Sequence, residues 1–203
     1  MSESLPEVYL ARHGETDWTV SGQHTGRTDL PLTARGERNA INLGERLRGI
    51  RFSRVLVSPL GRARRTCELA GYASGVEVVA DLTEWDYGAY EGRLTAEIRA
   101  GRTGWYLFRD GCPGGETGTD VGARADCVIA RLRDAGGHAL LFGHGHFFRV
   151  LAARWIGLPP GGRPPPAAEH RVPQCPELRA RPGRPGGPTL ERRPPCRNLR
   201  APR

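Results

Sequence analysis

Three short apolar segments of this chain each run into a polar loop and then into a helix-like segment. They are EVYLA (7–11), SRVLVSP (53–59) and HALLFGHG (138–145), and their composition favours buried strands. A strand, loop and helix repeated in this way is typical of a parallel sheet that is covered by helices on both faces. The sequence therefore predicts an α/β fold with a three-layer α/β/α doubly wound sheet.

Apolar side chains recur at helical spacing between and after these strands. In residues 33–49 and 121–135 they form one face of an amphipathic helix, and Thr33 is a suitable N-cap for the first. Two further helices are predicted over residues 62–70 and 147–156. Each predicted strand is thus followed by at least one helix, as a doubly wound sheet requires.

Proline and arginine are concentrated at the C-terminal end of the chain. All 30 basic residues are arginine, and residues 159–203 contain most of the 17 prolines and few acidic residues. A segment of this composition has too little apolar surface to offset the chain entropy lost on folding. We therefore predict a globular domain over residues 1–158 and a disordered Pro/Arg-rich tail over residues 159–203.

The tail has three interpretations: a natural disordered segment, a basic arm that binds RNA or phosphate, and a frameshift product of a GC-rich gene. It lacks the aromatic residues that stack on bases, so no nucleic-acid partner is expected. The genetic code permits the strand-like string STASLSVLSYE in a shifted frame beneath residues 169–179. This string favours the frameshift.

Composition also excludes several classes of protein. No apolar run approaches the length of a membrane span, and the N-terminus lacks the basic and apolar regions of a signal peptide. The five cysteines form no CxxC pair, so neither a disulfide scaffold nor a zinc ribbon is expected. We predict a cytoplasmic protein with no membrane partner, and no oligomeric state is predicted.

Basic and imidazole side chains follow all three predicted strands. Arg12 and His13 follow the first strand, Arg62 the second and His144 the third, with glycines beside them. Ligands of doubly wound sheets bind beyond the carboxyl ends of the strands. Guanidinium groups pair with phosphate oxygens, and imidazole is a donor or a nucleophile near neutral pH. The sequence therefore predicts a binding site for a dianion.

A set of segments within residues 7–158 resembles the histidine phosphatase superfamily in its phosphoglycerate-mutase-like branch. The resemblance to small bacterial phosphatases and to the fungal sedoheptulose bisphosphatase type is strongest in residues 84–92 and 105–117. It implies a phosphoglycerate-mutase-like fold. In chain order the segments are LARHGETDW (10–18), SGQHTGRTDLPLT (21–33), SPLGRARRT (58–66), EWDYGAYEG (84–92), WYLFRDGCPGGET (105–117) and FGHGHFFRVLAA (142–153).

The resemblance implies a role for each matched residue. His13 would be the nucleophile that accepts the phosphoryl group, and Glu84 would protonate the leaving oxygen and then activate water. Arg12, Arg62 and His144 would hold the phosphate oxygens, so no metal and no cofactor is expected. Substrate-binding roles are implied for Thr16, Thr25, Gly26, Tyr87 and Arg109, with loop capping, packing or a loop salt bridge as the alternative.

Two residues depart from the pattern of the mutases. Thr19 and His146 stand where mutases usually have Asn, and the segment between Glu84 and His144 is short for a mutase. We therefore predict a metal-independent phosphoric monoester hydrolase that acts on a small phosphorylated metabolite through a phosphohistidine on His13. The alternatives are a phosphoglycerate mutase and a phosphate-binding pseudoenzyme. Members of the family continue after the last matched helix into a strand. If the tail is a frameshift product, as the shifted-frame string favours, this chain lacks that C-terminal strand.

Overall fold

The described part of the protein is built around a sheet of four parallel strands. A computed structural model describes residues 7–133 and 136–160 of the chain. The strands lie side by side in the order β1-β4-β2-β3, and β4 is buried along its whole length. All pairs are parallel, as predicted for a doubly wound sheet. The strands are β1 (Val8–Arg12), β2 (Arg54–Val57), β3 (Glu77–Val78) and β4 (Ala139–Gly143).

Helices connect and cover the strands. Four of them lie where the sequence predicts helices: Ala34–Leu47, Gly61–Leu69, Gly118–Arg133 and Gly145–Trp155. Three shorter helices and two 3₁₀ turns, at Ala80–Leu82 and Gly88–Tyr90, were not predicted. The helices are α1 (Asp17–Ser21), α2 (Ala34–Leu47), α3 (Gly61–Leu69), α4 (Thr95–Gly101), α5 (Leu107–Asp110), α6 (Gly118–Arg133) and α7 (Gly145–Trp155).

Two hydrophobic cores lie on opposite faces of the sheet. Successive side chains of a strand point to opposite faces, and β4 shows this clearly. Leu140 and Phe142 pack in the core beneath α2 and α3. Ala139 and Leu141 pack in the larger core beneath α6 and α7. The predicted three-layer α/β/α architecture is therefore confirmed.

The start of α2 fixes the loop that follows β1. Thr33 caps the helix, because its Oγ1 accepts a hydrogen bond from the N–H of Gly36 at 3.0 Å. Gly36 leaves no room for a side chain, since a Cβ there would lie 2.2 Å from the carbonyl oxygen of Glu15. The backbone of α2 thus packs directly on the loop that carries His13.

The outer edge of β1 is not paired with another strand within residues 7–133 and 136–160. Leu10 is 42% exposed on this edge, and Ile156 at the end of α7 is 70% exposed. Together with Val8, Leu151 and Trp155, they line a shallow apolar groove. The predicted loss of a C-terminal strand concerns residues outside those that the structure describes.

Most of the predicted tail also lies outside the described residues, which end at Pro160. The ring of Pro160 packs against α6, where a Cβ added to Gly122 would lie 2.7 Å from it. None of the described helices is long and apolar enough to cross a membrane.

Candidate active site

The carboxyl ends of β1, β2 and β4 bring the predicted residues of the dianion site together. His13 follows β1, Arg62 lies in the first turn of α3 after β2, and His144 is the N-cap residue of α7 directly after β4. The N–H of His13 donates to the carbonyl of Gly143 at 3.0 Å, which holds the first loop to the third. The ring centroids of His13 and His144 are 5.2 Å apart. The predicted convergence is therefore present.

The tautomer of His13 is set by its own loop. Its Nδ1 lies 2.8 Å from the carbonyl oxygen of Gly14, and since a carbonyl can only accept, Nδ1 carries the hydrogen. Burial, and then the charge of Arg62, lowers the pKa of His13 to about 4. The ring is thus neutral at physiological pH, and its Nε2 keeps a lone pair. Such a nitrogen can act as a nucleophile.

Arg62 is buried and is held by backbone carbonyls. Its Nη1 donates to Thr28 at 2.8 Å, and its Nη2 donates to Gly26 at 2.8 Å and to Thr25 at 3.2 Å. Burial lowers its pKa, which the nearby carboxylates of Glu84 and other residues oppose. Its Nε has no hydrogen-bond partner within the described part of the chain. A buried N–H of this kind is suited to an anion oxygen.

His144 presents a second buried nitrogen of the same kind. Its Nε2 lies 2.8 Å from Oγ of Ser58, and its Nδ1 has no partner among the residues that the structure describes. Burial, followed by the charge of Arg62, lowers its pKa well below the ordinary value. The ring is therefore neutral at physiological pH.

Arg12 completes the positive side of the site. It is exposed, and its Nε lies close to Gly145 at the start of α7, where an added Cβ would be 3.3 Å from it. No ion pair to Arg12 occurs in the part of the chain that the structure describes. The charges of Arg62 and Arg12 act on His13, and the ring centroid of His144 lies 5.2 Å from that of His13. With the two unpartnered buried nitrogens on Arg62 and His144, these groups can bind an anion.

Glu84 joins the site through the N-terminus of α7. Its Oε1 accepts hydrogen bonds from the N–H groups of Trp85 and Phe147, both at 2.9 Å. Its Oε2 accepts from the N–H of His146 at 3.1 Å. These contacts stabilise a carboxylate at a helix N-terminus. They leave Oε2 with more free acceptor capacity than Oε1.

Thr25, Gly26 and Tyr87 lie around this cluster, and each makes a structural contact there. The carbonyls of Thr25 and Gly26 hold Arg62, as described above. Tyr87 is buried, and its hydroxyl lies 2.5 Å from Nδ1 of His146. Burial raises the pKa of Tyr87 well above 10, so this hydroxyl keeps its hydrogen. Their predicted contacts with substrate stay predictions.

Thr16 and Arg109 make their polar contacts elsewhere. Thr16 is the N-cap of α1, where Thr16 and Thr19 bond each other in a capping box. Arg109 is exposed and donates to both carboxylate oxygens of Asp110, at 2.8 and 2.7 Å. The alternative interpretation of Arg109 as a loop salt bridge describes its geometry in this structure.

The sequence analysis did not single out Ser58 or His24. Ser58 contacts His144, and its position directly after β2 was the available signal. The ring of His24 lies 4.8 Å from that of Tyr87 and 5.9 Å from that of His146. His24 lies within the matched segment 21–33, but nothing in that segment indicates its contacts with Tyr87 and His146, which are distant in sequence. Among the described residues there is no group of three or more His, Cys, Asp or Glu that could hold a metal ion.

The comparison with known families agrees with this geometry. A family model described as "Histidine phosphatase superfamily (branch 1)" matches residues 8–169. The chain belongs to the histidine phosphatase superfamily. The resemblance that was stated from the motifs is thereby confirmed.

Several known proteins are similar to this chain. An acid phosphatase of Mycobacterium tuberculosis is 41% identical over 156 residues, which cover 75% of this chain and 76% of that protein. A sedoheptulose 1,7-bisphosphatase of Saccharomyces cerevisiae is 38% identical over 190 residues, covering 78% and 70%. The crystal structure of an alpha-ribazole phosphatase from Shigella flexneri matches with a TM-score of 0.66 at 30% identity, covering 76% and 81% of the two chains. These similarities support an activity on phosphate esters.

Proposed function

We propose that this histidine phosphatase is a metal-independent enzyme that hydrolyses small phosphomonoesters through a phosphohistidine on His13. The main support is the 2.8 Å hydrogen bond from Nδ1 of His13 to the carbonyl of Gly14. It leaves a neutral Nε2 free on a ring whose centroid is 5.2 Å from that of His144. The unpartnered buried nitrogens of Arg62 and His144 can receive phosphate oxygens. A nucleophile and an anion site are thus adjacent.

In the first step the lone pair of His13 Nε2 forms a P–N bond while the ester P–O bond breaks. Arg62, His144 and Arg12 stabilise the charge on the non-bridging oxygens. The leaving oxygen takes a proton from Glu84. That proton would reside on Oε2, because Oε1 already accepts two backbone hydrogen bonds. The products are the alcohol and a phosphorylated His13.

In the second step Glu84 acts as a general base. Its carboxylate takes a proton from water, the water oxygen forms a bond to phosphorus, and the P–N bond breaks. Inorganic phosphate leaves, and His13 returns to the neutral tautomer. The three N–H groups that face Glu84 stabilise the carboxylate that this step needs, whereas the first step needs its proton.

Hydrolysis fits the site better than phosphoglycerate mutase activity. A mutase must hold an acid group or second phosphate of its substrate, and Arg109 is the predicted cation for it. That guanidinium is bound to Asp110. Thr19, which stands in a position where mutases have Asn, is committed to the cap of α1. We therefore propose that substrates carry one phosphate on a small leaving group and that the protein acts in the cytoplasm without a nucleic-acid partner.

A phosphoenzyme trap tests the proposal. The protein is mixed with a phosphomonoester, quenched in alkali within one turnover, and digested for mass spectrometry. We expect an acid-labile phosphoryl group on His13 and none in a His13→Asn variant, which should lose turnover. His138→Asn is the matched control, since His138 is exposed and directly precedes the first residue of β4, at the end of the strand opposite His144. Turnover by His13→Asn at the wild-type rate would exclude His13 as the nucleophile.

Two further measurements separate the alternatives. Added EDTA should leave the rate of phosphate release unchanged. Interconversion of phosphoglycerates that is faster than phosphate release would show a mutase. Binding of phosphate without turnover of any ester would show a pseudoenzyme.

A further inference from the structure

We propose that Ser58 is a positioning residue that fixes the ring hydrogen of His144 on Nδ1 and so supplies the anion site with an N–H donor. Only the identity of the anion, a phosphate group, rests on the proposed function. The proposal follows from the hydrogen bonds around Ser58 and His144.

Ser58 lies at the point where β2 meets the site. It is fully buried, and its N–H donates to the carbonyl of Phe142 in the neighbouring strand β4 at 2.9 Å. Its Oγ is 2.8 Å from Nε2 of His144. The N–H of Leu60 donates to the same Oγ at 3.3 Å. The Ser58 hydroxyl oxygen thus accepts a hydrogen bond from Leu60. The acceptor of the hydroxyl's own hydrogen has yet to be identified.

The ring of His144 carries a single hydrogen. Burial and the charges of Arg62 and Arg12 lower its pKa, so the neutral form is present at physiological pH. That hydrogen is on Nε2 or on Nδ1. Which nitrogen holds it is decided by the partner of the other nitrogen.

If the hydrogen were on Nε2, it would point at Oγ of Ser58. The hydroxyl hydrogen of Ser58 would then have no acceptor among the residues that the structure describes. A buried hydroxyl without an acceptor is unfavourable. With the hydrogen on Nδ1, the Ser58 hydroxyl donates to Nε2 and accepts from Leu60, so all three groups are satisfied.

The remaining nitrogen is then the one that matters for binding. Nδ1 of His144 is buried and without a partner in the described chain, as is Nε of Arg62. As an N–H, Nδ1 donates to an anion oxygen; as a bare nitrogen, its lone pair would repel that oxygen. Ser58 therefore acts on the anion through His144 and does not need to touch it.

The tautomer of His144 can be measured on the intact wild-type chain. Two-bond ¹H–¹⁵N correlation spectra place the ring nitrogen without hydrogen far downfield of the N–H nitrogen. The signals of His144 are identified by their absence in a His144→Gln variant. We expect hydrogen on Nδ1 at pH 7, and hydrogen on Nε2 would overturn the proposal whatever the activity of the protein.

Variants of Ser58 test the consequence for binding. Ser58→Ala should weaken the binding of inorganic phosphate by about ten-fold, measured by calorimetry, and should move hydrogen to Nε2 of His144. Ser58→Thr keeps the hydroxyl and should restore the Nδ1–H form and most of the affinity. Ser53→Ala is the matched control. Ser53 precedes β2 at its other end, is exposed, and donates to the carbonyls of Gly136 and His138.

The outcomes separate this inference from the proposed function. A Ser58→Ala protein that is folded, keeps hydrogen on Nδ1 and binds phosphate like the wild type would refute the role of Ser58. If Ser58→Ala does not fold, the wild-type tautomer still decides. An Nδ1–H tautomer together with a failed phosphoenzyme trap would leave Ser58 as an anion-site residue and reject the phosphohistidine.

Discussion

The carbonyl oxygen of Gly26 accepts a hydrogen bond from Nη2 of Arg62 at 2.8 Å in the interior of the protein. The loop of Gly26 is itself fixed by Glu91, whose Oε1 accepts from the N–H of Gly26 at 2.8 Å and from that of Thr28 at 3.1 Å. The guanidinium of Arg62 is therefore oriented before any ligand arrives. Such preorganisation reduces the conformational entropy that is lost when a ligand binds.

Gly26→Ala should displace this loop and with it Arg62. A Cβ at Gly26 would lie 2.5 Å from the carbonyl oxygen of Trp85, which is backbone and cannot move aside easily. We expect phosphate affinity to fall about ten-fold or more, and the free energy of unfolding to fall by about 1–3 kcal/mol, measured by calorimetry and urea unfolding. Gly101→Ala is the control, because nothing lies within 4 Å of its Cβ position at the end of α4. Wild-type binding by Gly26→Ala would show that the loop does not orient Arg62.

Glu84→Gln should slow hydrolysis according to the leaving group. An alkyl alcohol needs a proton as it departs, so turnover of an alkyl phosphate should fall by about 10²–10⁴-fold. Nitrophenol departs readily as its anion, so the rate of the first step with nitrophenyl phosphate should fall by a smaller factor. Single-turnover formation of the phosphoenzyme with both esters measures this. An equal loss with both would mean that Glu84 is not the proton donor.

The parts of the fold that the sequence predicted are those whose local pattern matches their burial. β4 is a continuous apolar run and is buried on both faces. β3 was missed, because it has only two residues, both exposed, and becomes a strand through its pairing with Leu56 and Val57. α5 was missed because its four residues are too few to show a helical period. This helix is stabilised by a side-chain contact, in which Asp110 accepts a hydrogen bond from the N–H of Tyr106.

The same distinction applies to the site. Arg12, His13, Arg62 and His144 were found because each stands at or just beyond the end of a predicted strand, and parallel strands end at one edge. The contact of Ser58 with His144 joins residues 86 positions apart, and only the order of the strands brings them together. The catalytic roles of these residues remain predictions.

His13 should titrate well below the ordinary range of histidine. Burial and Arg62 lower its pKa to about 4, so the ring should stay neutral as the pH falls from 8 to 5. A titration of its ring resonances by NMR measures this directly. Arg12→Met should raise the midpoint slightly, because the charge of Arg12 also opposes protonation. A midpoint near 6.5 in the wild type would contradict the buried, cation-flanked environment of His13.

The protein should lose stability as the pH falls from about 6.5 to about 4. Burial lowers the pKa values of His13, His24 and His146 to about 4 in the folded state, whereas unfolded histidines titrate near 6.5. Between these values the unfolded chain binds more protons, so the free energy of unfolding increases with pH by up to about 1.4 kcal/mol per unit for each such histidine. Urea unfolding at pH 7, 6 and 5 measures the slope, and His24→Gln should reduce it by the contribution of one histidine. A flat profile over this range would show that these rings are not kept neutral by folding.

Arg109→Ala should leave the hydrolysis of monophosphate esters unchanged within about two-fold, since an exposed ion pair is screened by water. The guanidinium is bound to Asp110 and to the carbonyl of Gly104. The KM values of one sugar monophosphate and of the corresponding bisphosphate are compared for the wild type and the variant. A KM that rises for the bisphosphate alone would show that Arg109 leaves Asp110 to bind a second phosphate. Unchanged values for both would show that Arg109 binds neither phosphate of the substrate.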